Sequence, residues 1–129
     1  MTEAHATFQN DTHDATDLDL GVAACSRVSI ERTFAGDLTG KSRAELLVCS
    51  PREGVFGYAG VDVFSGTLAG RKGSFAFHHA ELFENGPVRT IGFIVPGSAT
   101  DALKGLQGDI AISVEGDVHN VVMTYDFGG

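Results

Sequence analysis

Glu45, Asp62 and Glu81 are the side chains best placed to do chemistry, with His79 two positions before the last of them. If each hairpin turns on its two central residues, Glu53-Gly54 sets Glu45 opposite Asp62 and Arg71-Lys72 sets Asp62 opposite Glu81. Three carboxylates then share one cross-strand row. Directly opposed side chains lie roughly 5 Å apart at Cβ, and carboxylates this close in a low-dielectric interior cannot all ionise. One that keeps its proton beside one that loses it makes a general acid and a general base, and His79 adds a relay. The same counting, through Asn85-Gly86, places Gly92 opposite His79 and leaves open space before the imidazole.

The elements that must hold this row are strands. Phe34-x-Gly36-x-Leu38-x-Gly40 and Phe64-x-Gly66-x-Leu68-x-Gly70 repeat a residue type at every second position, and Gly105-Leu106-Gln107-Gly108 is a clipped copy. Alternation and turn residues predict eight strands at about 4 to 10, 22 to 39, 43 to 51, 55 to 69, 73 to 84, 88 to 95, 108 to 115 and 120 to 127. Four tight turns join them, at Gly40–Arg43, Arg52–Val55, Gly70–Gly73 and Glu84–Pro87; the first sets Glu45 opposite Leu38. Residues 1 to 3 and parts of 11 to 21 read as loop. Residues 96 to 104 read as a turn and one helical turn capped by Ser98 or Thr100. Consecutive hairpins without crossover helices predict an all-β fold, an eight-stranded antiparallel up-and-down barrel, as one domain over residues 1 to 129.

Two faces compete for the interior. Tyr58, Phe64, Phe75 and Phe77 share the face of Asp62, His79 and Glu81, and aromatics are costly to solvate, so this face is expected inside as a pocket for a small apolar molecule. A one-residue register change turns the acids outward and brings Ala44, Leu46, Val61, Ala80 and Ile91 in. Arg32 lies within the apolar set Val28, Ile30, Phe34, so it either enters the barrel mouth as an anion partner or snorkels at the rim. His78 alternates away from His79, and His5 and His119 are expected in solvent.

The remaining composition excludes more than it assigns. With a net charge of -8 the chain lacks the basic footprint that nucleic acid or an anionic membrane requires. The acidic N-terminal segment has neither part of a signal peptide, and no apolar run approaches the ~20 residues of a membrane helix. A cytoplasmic protein is the expectation. Asp11, His13, Asp14, Asp17 and Asp19 match no metal-loop spacing, and phosphate-loop, dinucleotide and nucleophile-elbow patterns are missing, so neither metal nor cofactor is expected. Cys25 and Cys49 could bridge neighbouring strands, but a cytoplasmic chain of this size needs no staple and buried thiols are expected.

The runs Thr33-Phe34-Ala35-Gly36-Asp37-Leu38-Thr39-Gly40, Gly66-Thr67-Leu68-Ala69-Gly70-Arg71-Lys72-Gly73-Ser74-Phe75, Val95-Pro96-Gly97-Ser98-Ala99-Thr100 and Tyr125-Asp126-Phe127 resemble the bacterial family called domain of unknown function 3224. That resemblance implies a barrel similar to allene oxide cyclase and, in shape, to the lipocalins, with no activity attached. Glu45, Asp62 and His79 fall where the family pattern has acid, acid and His, whereas His78 replaces a usual Gln and Gly92 a bulky aromatic.

The expected catalytic residues are therefore Glu45, Asp62 and His79, with Tyr58, Phe64, Phe75, Phe77, Glu81 and Gly92 lining the ligand. Such a site suits a cofactor-independent isomerase or cyclase acting on a small apolar substrate. The alternatives are a non-catalytic carrier or sensor and a homo-oligomeric barrel with a filled interior.

Overall fold

The computed structural model describes residues 1–21, 24–86 and 88–128. Its strands are β1 (Thr2–Leu18), β2 (Cys25–Gly36), β3 (Leu38–Arg52), β4 (Val55–Leu68), β5 (Arg71–Glu84), β6 (Arg89–Ile94), β7 (Leu106–Glu115) and β8 (Val118–Phe127), with a 3₁₀ turn at Asp101–Leu103 between β6 and β7. Each strand pairs antiparallel with its neighbours in sequence and β8 returns to β1, so the eight close a barrel. The expected strand start at Val22 and the Pro87 end of the Glu84–Pro87 turn lie outside the described residues.

The repeated phrase proves to be the inward-facing set of the lower barrel. Phe34, Leu38, Phe64 and Leu68 are all buried there, with Phe75, Leu106 and Met123 from other strands. Between them the glycines let the backbones close up. Gly40 pairs with Gly66 and Gly66 with Gly73, and a Cβ on Gly66 would collide with the Thr39 carbonyl and lie 3.0 Å from the Phe64 ring. At the third glycine, Gly73, a Cβ would lie 3.0 Å from Leu103, whose side chain is buried and plugs this end.

β6 is short and leaves the lower edge of β5 uncovered, and the segment after it satisfies that edge. Val95 N–H donates to Ala76 O and Thr100 N–H to Ser74 O, while the Ser98 hydroxyl accepts from Ala76 N–H and the Thr100 hydroxyl from Ser74 N–H. The two hydroxyls expected to cap a helical turn thus serve the sheet edge, which has more unpaired groups than a three-residue turn.

Three sequence expectations need correction. Residues 2 to 18 form one long strand where a strand was expected only at about 4 to 10 and parts of 11 to 21 were expected as loop, because from Gln9 to Leu18 the chain continues as an edge strand along β2. Its side chains there are almost all exposed on both faces, so no apolar alternation marks it. The β2–β3 turn falls at Asp37 rather than at Lys41-Ser42, which pairs Phe34 with Gly40 and Glu45 with Ser29. Asp37 holds that turn to β1, its carboxylate accepting from His5 N–H and its own N–H donating to His5 O. Finally, β4 and β5 turn at Ala69-Gly70, both with positive φ of 48° and 84°, rather than at Arg71-Lys72.

The glycine row sets a direct test. Gly66→Val forces a branched side chain against the Thr39 carbonyl, and overpacking of this kind costs about 1–3 kcal/mol. Urea unfolding should show the lower midpoint with an unchanged slope, whereas Gly70→Asn, at a positive-φ turn with nothing near the missing Cβ, should change it little.

Candidate functional site

Four strands converge on one buried carboxylate. Asp62 on β4 is 0% exposed, and each of its oxygens is engaged. The Ser42 hydroxyl on β3 donates to Oδ1 at 2.8 Å, and His79 Nε2 on β5 lies 2.6 Å from Oδ2. Arg32 on β2 brings Nε to 3.6 Å from Oδ1. Register explains the convergence: Arg32 stands opposite Ser42, while Ser42 and His79 each sit one diagonal step from Asp62, whose direct partners are Ala44 and Phe77.

Space for the His79 ring comes from its neighbours, since both residues directly opposite it, Gly60 and Gly92, lack side chains. The rings of Tyr58 and Phe77 pack on either side, with centroids at 5.5 and 5.6 Å. Arg32 lies over the Phe8 ring at 4.6 Å, and Phe8 meets His119 edge-on at 4.8 Å. At the upper rim Tyr58 faces Glu81, and burial, with the Glu81 carboxylate as a lesser cause, pushes the phenol pKa up. Burial, followed by the charge of Arg32, holds the His119 imidazole below the usual histidine value.

Two nitrogens in this layer make no hydrogen bond among the described residues. They are Arg32 Nε and His79 Nδ1, both sealed from solvent. Arg32 and His79 are each only 4% exposed, and although the Asp62 carboxylate offsets the Arg32 charge at 3.6 Å, neither nitrogen has the hydrogen bond that buried polar groups normally make. In the neutral tautomer that donates from Nε2 to Asp62, the ring has its hydrogen there and a lone pair at Nδ1. The layer thus offers one unmet donor and one unmet acceptor around a fixed negative charge.

Known proteins extend the fold reading without adding a function. The chain matches the family model described as "Protein of unknown function (DUF3224)" over residues 4–127. The chain belongs to this family. It is also similar to a crystal structure of a protein with unknown function from the DUF3224 family of Shewanella oneidensis MR-1, 29% identical, covering 100% of this chain and 98% of that one with a TM-score of 0.87. No curated protein matches the chain.

The carboxylate row expected from counting does not form. Glu45 is on the outer surface, its side chain 44% exposed, where Arg27 Nε donates to it at 2.6 Å; hydrogen bonds from Ser29 and then Arg27 hold its pKa down. The cause is a bulge. Arg52 pairs with Val55 at the hairpin tip but Cys49 pairs with Gly57, so one extra β3 residue is inserted and Ala44, not Glu45, stands beside Asp62. Pro51, which cannot donate to a ladder, lies within that insertion and is the signal that could have located it.

On β4 and β5 the turn moved by an even number of residues, so the faces survived while the partners changed. Asp62 opposes Phe77 rather than Glu81. Phe64, Phe75 and Phe77 point inward as expected but are at most 1% exposed, and their rings pack tilted on one another at 5.3 and 6.0 Å between successive centroids. They fill the barrel rather than line a cavity. Gly92 does stand opposite His79, yet Ile110 of β7 occupies the space, 2.7 Å from where a Cβ would be. Arg32 enters the interior rather than snorkelling, and Ser42 and His119 are members of the site that sequence reasoning missed or placed in solvent.

Removing the central charge should be expensive. Asp62→Ala leaves Arg32 buried without a counter-charge, a change that typically costs about 3–5 kcal/mol. Asp62→Asn, which keeps the shape and can still accept from Ser42, should lose less; equilibrium urea unfolding of both variants checks the order.

Proposed function

We propose that the protein binds a small, largely apolar molecule bearing a carbonyl or hydroxyl group in the upper barrel and moves a proton on it through His79, as a cofactor-independent isomerase or cyclase. The observation that carries this reading is the pair of unmet nitrogens, Arg32 Nε and His79 Nδ1, beside a buried Asp62. A layer kept only for stability gains nothing from unmet groups, because an apolar filling of similar volume is usually as stable. In this mechanism Asp62 orients the imidazole and balances the charge it acquires. His79 Nδ1 takes the proton, and Arg32 donates to the oxygen on which negative charge develops. The sealed lower half leaves the Tyr58 and Glu81 end as the way in, and Tyr58 must swing aside to expose His79. Glu45, outside the wall, has no part in it.

Proton transfer can be read without knowing the natural substrate. In D2O, the protein should exchange the α-hydrogens of a simple cyclic enone above the buffer rate, and His79→Gln should lower that catalysed exchange by about 10²-fold or more. Enone binding with no exchange would leave the carrier reading standing. Absence of both binding and exchange for a panel of such ketones would remove both.

One further observation favours self-association alongside this reading. Ile91 and Phe93 are exposed on the outer face of β6, and with Leu47, Ala59, Val61 and Ala80 they line a groove of about 640 Å³ that the Arg27–Glu45 pair also borders. A contiguous apolar face of this kind, rimmed by both charges, suits a second copy of the chain. Sedimentation should give a dimer or larger species that Phe93→Asp converts to monomer; a monomeric wild type would refute it.

A further inference from the structure

Cys25 and Cys49 are directly opposed across β2 and β3, and both thiols are free. The ladder around them identifies the kind of pair. Ser50 N–H donates to Ala24 O at 2.8 Å, so Ala24 and Ser50 form the hydrogen-bonded pair and Cys25 and Cys49, the next pair along, the non-hydrogen-bonded one. In such a pair the Cα atoms lie roughly 4.5 Å apart, within the span a disulfide bridges without moving the backbone.

Access is also built in. The cross-strand row runs Leu18, Cys25, Cys49, Gly57, Leu82, and the Leu82 side chain covers Gly57, 2.8 Å from where a Cβ would be, so the approach to the pair is from the groove side. Both cysteines border a groove of about 390 Å³ with Leu18, Leu20 and Leu82, and both are half-buried rather than sealed. Their position is two residues along the strands from the row of Leu47 and Ile91, beyond the apolar patch around Phe93.

We infer that Cys25 and Cys49 form a reversible dithiol–disulfide site that closes by exchange with a low-molecular-weight disulfide and straps β2 to β3 at the upper rim. One cysteine thiolate attacks the external disulfide, forming a mixed disulfide and expelling one small thiol. The second cysteine gives up its proton and attacks the protein-side sulfur, forming the Cys25–Cys49 bond and expelling the second small thiol. Two protein thiols are oxidised and one external disulfide is reduced. A hydrogen bond between the two sulfurs, with burial, raises the Cys25 pKa, so closure is slow at neutral pH and faster in mild alkali.

Oxidised glutathione is the probe. Wild type incubated with it in mildly alkaline buffer should lose both free thiols, gain no glutathione mass and stay unlinked between chains on non-reducing gels. Its Tm should rise by several degrees and return with dithiothreitol. Cys25→Ser and Cys49→Ser should each stop at the glutathione adduct with no rise in Tm. A stable glutathione adduct on wild type, disulfide-linked chains, or closure that lowers Tm would each overturn the assignment.

Discussion

The structure depends on one buried negative charge. Asp62 is wholly out of water, and desolvating a carboxylate costs several kcal/mol even after relaxation. What makes its burial tolerable is that Ser42, His79 and Arg32 reach it from three other strands. β2, β3, β4 and β5 are therefore held in one relative register by a requirement stricter than apolar packing. A slip of one residue in any pair would leave a charge unmatched, and hydrophobic side chains of similar size would not enforce that.

Packing divides the barrel at this layer. Below it, Phe34 meets Phe64 edge-on, Phe64, Phe75 and Phe77 follow as tilted ring pairs, and Leu103 plugs the end, with paired glycines admitting the close backbones. Above it, Val28, Ile30, Ala44 and Leu46 form a smaller cluster against Val48 and Tyr58. A polar layer between two apolar ones lies in a low dielectric, where each hydrogen bond is stronger and each missing one costs more. The short β6 meets β7 through a single residue pair, Phe93 with Asp109, so the wall beside His79 has the least ladder support of the barrel.

Strand existence and closure were legible because alternation and turn residues are local signals, and the inward faces of β4 and β5 were legible because Phe64, Phe75 and Phe77 have nowhere else to go. Partner identity was not, because it accumulates errors from every turn. The stretch from Ala69 to Gly73 offers two turn centres, Ala69-Gly70 and Arg71-Lys72, and Ala69, which takes the left-handed conformation here, is a residue that rarely does. That choice preserved the faces of Asp62 and His79. The bulge at Pro51 reversed a face, and Glu45 left the site with it. The edge strand from Gln9 to Leu18 was invisible for a different reason: with both faces in water its residues carry no periodicity, and only backbone pairing makes it a strand.

A structural network and a reactive one can share residues, and the difference lies in what is left unmet. Had Asp62, Ser42, His79 and Arg32 evolved only to pin four strands, the cheapest arrangement would satisfy His79 at both nitrogens and bring Arg32 into a two-bond contact with the carboxylate. Instead Asp62 spends one oxygen on Ser42 and the other on a single imidazole nitrogen, while Arg32 stays at 3.6 Å and leans on the Phe8 ring. That leaves the imidazole oriented but half used, and the guanidinium charge present but undirected. Under the proposed function a bound carbonyl or hydroxyl compound would complete both at once, and that completion, more than the burial, is what would separate a proton-transfer site from a strand clamp.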